Sequence, residues 1–87
     1  MQEITANEFD KEVLHAECAV VDFYSTECPP CEALAPKFES LNNLFGDRVK
    51  FIKIFRQQNR SLAEKLGVKS SPALLFYNKG QRVGDIL

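Results

Sequence analysis

The chain has 87 residues, 45% of them apolar and 26% charged, with a net charge of -1 and three cysteines. That length allows one domain, residues 1–87, with a usable core and little margin, and the composition is that of a globular protein. A near-neutral chain without a basic stripe is a poor partner for nucleic acid or an anionic membrane surface, and no stretch is long enough to span a bilayer.

Met1 to Thr5 has no basic region followed by an apolar one, so no signal peptide is expected and the cytoplasm is the expected location. In such a compartment three cysteines point to catalysis or metal rather than to a disulfide framework.

Glu3-Ile4-Thr5 reads as a short edge strand, and Thr5-Ala6-Asn7-Glu8 as a capping box. Phe9, Val13 and Leu14 then share one face of an amphipathic helix ending near Ala16. His15, the only histidine, falls on its last turn, where a surface or dipole role is preferred to a catalytic one.

Ala19 to Tyr24 is a continuous apolar run broken only by Asp22. Such runs mark strands covered on both faces, as in parallel sheets. With a period of two, Asp22 shares a face with Val20 and Tyr24. It is either an acid that reaches water at a gap or, the preferred reading, a buried carboxyl with a raised pKa that carries a proton. It lies toward the C-terminal end of its strand, where open α/β sheets place their chemistry.

Next comes Cys28-Pro29-Pro30-Cys31, at the change from strand to helical pattern. Prolines suit a first helical turn, where an amide hydrogen would lack a partner. Cys28 then falls at or beside the N-cap, where free amides and the helix dipole favour a thiolate. Cys31, one turn on, is within reach of the Cys28 sulfur, and the pair can close and reopen by exchange. The alternatives are half of a metal site or two ordinary thiols.

Leu34, Phe38, Leu41, Leu44 and Phe45 keep helical spacing to about Phe45, with Pro36 as an interior kink and Gly46 as the stop. Val49 to Phe55 is the next strand. Lys53 interrupts it, either snorkelling to an end or helping Asp22 exchange protons. Asn59 or Ser61 caps a short helix that contains Leu62, Ala63 and Leu66 and ends at Gly67. Arg56, Arg60 and Lys65 read as a solvated face. Ala73 to Tyr77 is an inner strand, Asn78-Lys79-Gly80 a hairpin turn, and Gln81 to Leu87 an edge strand. The order β-α-β-α-β-α-β-β implies a mixed sheet, partly parallel, with helices on both faces.

Together these residues resemble the thioredoxin family. The marks are Val20-Val21-Asp22-Phe23, Cys28-Pro29-Pro30-Cys31, Pro36, Lys53, Leu62 to Val68, and Pro72 followed by a strand and Lys79-Gly80. The rule that reads C-x-x-C beside a βαβ pattern as a redox motif has this family as its type case, so motif and resemblance are not independent. The resemblance implies a three-layer α/β/α thioredoxin fold with a central mixed sheet of four to five strands. It also implies residue roles. Cys28 is the exposed nucleophile, Cys31 the buried resolving thiol, Asp22 the proton carrier for Cys31, and Lys53 its charged neighbour. Pro72 is a cis-proline beside the disulfide, and the Ser71 backbone offers hydrogen bonds to an extended substrate. Pro29, Pro30, Ser71 and Pro72 form the substrate-binding set.

The implied function is thiol–disulfide oxidoreduction of protein disulfides by a monomer without metal or cofactor, its electrons coming from a flavin-dependent disulfide reductase or a fused reductase domain. A non-catalytic binding module that uses the groove near Pro72, or metal binding by the Cys pair, stands as the alternative.

Four features depart from the family pattern. Thr26-Glu27 replaces a tryptophan before the first cysteine, and Glu27 opposes thiolate formation. Pro-Pro replaces Gly-Pro and removes an amide donor. Ser71 stands where an apolar residue is common. The chain ends at Leu87 where the family continues into a last helix, so a truncated chain or one domain of a longer protein is expected, with one sheet face left uncovered. Cys18 reads as a small buried hydrophobe. A zinc site from His15, Cys18, Cys28 and Cys31 is disfavoured, because Cys18 and Cys28 flank opposite ends of a strand rising roughly 20 Å.

Overall fold

A computed structural model describes all residues, Met1–Leu87. Five strands form one sheet: β1 (Gln2–Ile4), β2 (Cys18–Tyr24), β3 (Lys50–Phe55), β4 (Ala73–Asn78) and β5 (Gln81–Ile86). Their order across the sheet is β1-β3-β2-β4-β5. β1 and β2 both run parallel to β3, while β4 is antiparallel to β2 and to β5. β2 is therefore central, which explains why its sequence is apolar on both faces. Helix α1 (Pro29–Phe45) and helix α2 (Arg60–Lys65) follow β2 and β3. No helix is long and apolar enough to cross a membrane.

The alternation along β2 divides the core. Val21 and Phe23 are fully buried with Phe9, Val13, Ile52, Ile54, Ala63 and Leu75 on one face. Val20 turns to the other, where it packs with Phe38 of α1 and Phe51. The Phe38 and Phe51 rings meet edge to face at 5.2 Å. This second face is only partly covered. An apolar groove of about 410 Å³ runs between Phe38, Phe45, Leu74, Phe76 and Ile86, and Leu44, Val83 and Ile86 are largely exposed.

The segment after β1 does not form the single amphipathic helix that its apolar spacing suggests. Ala6–Glu8 winds as a 3-10 turn, and Asp10–Leu14 as a wide π turn closed by the His15 amide on the Asp10 carbonyl at 3.1 Å. So short a segment cannot hold helical form by itself. Burial of Phe9 and Val13 against the sheet dominates its winding, and His15 stays exposed.

Gly46 ends α1, but with a right-handed φ of -63°. Its missing side chain serves close approach instead: a Cβ there would stand 2.5 Å from the Asn42 carbonyl oxygen. Lys79 and Gly80 both have positive φ, 52° and 81°, so the β4–β5 turn has the primed geometry that matches strand twist. Asn59 occupies the N-cap of α2 without capping it. Its side chain accepts from the Ala6 amide and donates to the Phe55 carbonyl, both at 2.8 Å, and so ties the end of β3 to the segment after β1.

Cys18 is not the buried hydrophobe expected. It opens β2 opposite Asn78, half-exposed, with Sγ 3.7 Å from the Asn78 Oδ1. A position at a strand end near the β4–β5 turn leaves that side chain partly open to water.

Candidate functional site

β2 ends at Tyr24, and a short loop turns the chain into α1. The loop is pinned from a distance. The Thr26 amide and hydroxyl both donate to the Gln57 Oε1, at 2.9 and 3.0 Å. Glu27 follows with φ 52°, a left-handed conformation uncommon outside glycine. Cys28 is then the N-cap of α1, and Pro29 and Pro30 fill the first helical positions. The Cys31 amide donates to the Cys28 Sγ at 3.2 Å. It is the nearest amide available to that sulfur from the helix, because the two prolines have none. Cys28 and Cys31 are joined as a disulfide, with Cα atoms 5.2 Å apart.

The contrast expected between an exposed Cys28 and a buried Cys31 is absent. They are 8% and 7% exposed. The Cys28 Sγ lies 3.7 Å from the Ser71 carbonyl oxygen, so the loop before β4 shields it. That loop carries the Ser71–Pro72 peptide bond, which is cis. It is held by Arg56, whose guanidinium donates to the Lys69 carbonyl at 2.8 Å. Arg56 is therefore not part of a solvated face: it is half-buried, and its Nε lacks a partner. A groove of about 380 Å³ opens beside the disulfide, between Pro30, Leu34, Lys37, Pro72, Leu74 and Ile86. Pro29 is exposed at the same helix tip.

Behind the disulfide lies a smaller cavity of about 150 Å³, lined by Asp22, Tyr24, Cys31, Glu32 and Lys53 among others. Asp22 is 2% exposed. Burial raises its pKa from 3.8 to about 6, against the opposing pull of Lys53. One of its carboxylate oxygens has no hydrogen-bond partner. Asp22 and Lys53 stand opposite each other in the β2–β3 register. The fold thus brings Asp22, Cys31 and Lys53 together on one side of the disulfide, and Pro30 and Pro72 on the other. No group of three or more His, Cys, Asp or Glu side chains is arranged to hold a metal. His15 and Cys18 belong to segments at the far end of β2.

Gln57, Arg56 and Tyr24 are the site residues that sequence reasoning missed. Gln57 and Arg56 act across 31 and 13 positions of chain, and neither carries a local signal. Tyr24 was legible only as a strand residue on the Asp22 face.

An arrangement of this kind can carry two-electron chemistry: a sulfur at a helix N-terminus, a second sulfur bonded to it, and a buried acid beside the second. The whole chain, residues 1–87, matches the family model described as Thioredoxin. Thioredoxin-1 of Schizosaccharomyces pombe is 37% identical over 82 residues, which is 94% of this chain and 79% of that protein. Thioredoxin 1 of Synechococcus elongatus is 34% identical over 85 residues, 97% of this chain and 79% of its own length. Among solved structures, Malassezia sympodialis thioredoxin (Mala s 13) superposes with a TM-score of 0.91 at 27% identity, covering 100% of this chain and 77% of that one. Plasmodium falciparum thioredoxin gives 0.92 at 28% identity, covering 100% and 85%.

Proposed function

The chain belongs to the thioredoxin family of thiol–disulfide oxidoreductases, and from that premise we propose that it reduces or exchanges protein disulfides through Cys28 and Cys31. The Cys28 thiolate attacks one sulfur of a substrate disulfide. A mixed disulfide forms, and the other substrate sulfur leaves as a thiolate. Cys31 then gives its proton to Asp22 and attacks the Cys28 Sγ. The Cys28–substrate bond breaks, the Cys28–Cys31 bond forms, and the second substrate sulfur departs. Two electrons pass to the substrate, whose two sulfurs end as thiols once protonated. A flavin-dependent disulfide reductase or a fused reductase domain returns the electrons.

The observation that supports this reading best is the position of Cys28. It is the N-cap of α1 with the Cys31 amide aimed at its sulfur, which lowers the cost of a thiolate. Asp22, neutral over much of the range below pH 6, suits a group that must hold and release a proton. Lys53 tunes that carboxyl. Pro29, Pro30, Ser71 and Pro72 frame the approach of an extended substrate, for which the Ser71 backbone supplies hydrogen bonds. Insulin reduction by the wild type and by Cys28→Ser tests the proposal. Turnover must vanish with Cys28→Ser; equal rates rule out Cys28 as the nucleophile.

A further inference from the structure

Asp22 and Lys53 face each other on adjacent strands, where opposite charges ordinarily attract. Here they form no ion pair. The salt bridges of the chain are Lys50–Glu12 and Arg82–Asp85, and the Asp22 Oδ1 is buried and unpartnered. The Lys53 Nζ instead stands 4.3 Å from the centroid of the Tyr24 ring, at a distance where the ring face attracts a cation. That ring is fixed from two sides. Its hydroxyl donates to the Glu3 carboxylate of β1, and its face tilts against Phe55 at 5.4 Å.

We propose that Tyr24 is a positioning residue: it holds the Lys53 ammonium over its ring and off the Asp22 carboxylate, leaving Asp22 an unpaired buried acid. The role of that acid toward Cys31 rests on the exchange mechanism above; the electrostatic arrangement does not. If Lys53 closed on Asp22, the carboxylate would be held ionised and would keep a proton poorly.

The titratable and charged groups around Asp22 are few. Cys31 and Glu32 face it from α1, Lys53 from β3 and Tyr24 from its own strand, with Glu3 of β1 behind the Tyr24 hydroxyl. From β4 its partner is Leu74, which carries no charge. Burial and the Glu3 carboxylate push the Tyr24 hydroxyl up to about 12, so it remains a neutral donor throughout the range in which Asp22 titrates.

The test is a carbon-13 carboxyl titration of Asp22 by NMR in the oxidised full chain. Tyr24→Leu and Tyr24→Met remove the ring, and methionine keeps much of its volume; each is made alone and with Lys53→Met. The expected result is a fall in the Asp22 midpoint of about one pH unit or more when the ring is lost, the size of a new ion pair, and, because Lys53 itself pulls that midpoint down, no such fall in the double variants when they are read against Lys53→Met alone. Tyr24→Phe, which keeps the ring, should stay close to the wild type. A fall that persists with Lys53→Met reports water entry and overturns the proposal, as does an unchanged midpoint in both ring-less variants. The titration needs no turnover, so loss of the oxidoreductase reading would show in the Cys28→Ser assay and leave this result legible.

Discussion

Asp22→Asn should change how stability depends on pH, by an amount that follows from the burial of one carboxyl. In the native protein Asp22 holds its proton up to about pH 6, whereas the unfolded chain releases it near 3.8. Between those values the native state binds more protons than the unfolded state, so stability falls as pH rises and levels off above about 6. The gap is about 2 pH units, and at about 1.4 kcal/mol per unit the loss is about 3 kcal/mol. Below pH 4 the protonated acid and the amide are alike in shape and charge, and the two proteins should be close in stability. At pH 7 the amide escapes the cost of a buried charge. Glu12, whose carboxyl is held low by its hydrogen bond to Lys50, contributes equally to both proteins and cancels. Urea unfolding of the oxidised proteins from pH 4 to 7 is the assay. With slopes of about 1–3 kcal/mol per molar urea, the difference between their midpoints should grow by about 1–3 M across that range in favour of Asn. Parallel midpoint curves would refute the reasoning, since they would mean that Asp22 titrates alike in both states.

Three further outcomes are open to measurement. Asn59→Ala should cost about 2 kcal/mol by urea midpoint, because both side-chain hydrogen bonds, to Ala6 and Phe55, disappear; a cost near zero would remove Asn59 as the tie between those segments. Gly67 and Gly80 both have positive φ, so alanine at either should cost about 1–2 kcal/mol. Gly80→Ala should cost clearly more than Gly67→Ala, because its Cβ would sit 2.7 Å from the Leu14 carbonyl oxygen while Gly67 has open space; equal costs would contradict the docking of that turn. In Cys31→Ser the resolving sulfur is gone, so a mixed disulfide with a substrate should accumulate and be visible by mass spectrometry; free release of substrate would contradict the second step.

Local rules carried much of the fold. β2, α1 from Pro29 to Phe45, the β4–β5 hairpin and the place of Cys28 at the helix N-cap all follow from signals within a few residues of each other: apolar runs, a proline pair, a Lys-Gly turn. Asp22 was legible because a single acid in a strand covered on both faces cannot escape burial. The misses share one physical cause. Gln57 binds Thr26, Arg56 binds the Lys69 carbonyl, and Asn59 binds Ala6, each across a gap in the chain that no local pattern reports. The segment from Ala6 to Leu14 has helical spacing but too few residues to impose a helix, so tertiary packing dominates its winding. The burial of Cys28 comes from the Ser71 loop, 43 positions away. Lys53 stands opposite Asp22 in the β2–β3 register, yet nothing in the spacing says that its ammonium rests on Tyr24 rather than on the acid.

The account rests on one sulfur stabilised as an anion where a helix begins. Alkylation of the reduced protein by iodoacetamide across pH, with Cys28 followed by mass spectrometry, measures that directly. The expected midpoint for Cys28 lies below the value of about 8.5 for a free thiol, with reaction near neutrality faster than that of free cysteine. A midpoint at or above that value, with no gain in rate near neutrality, would contradict it.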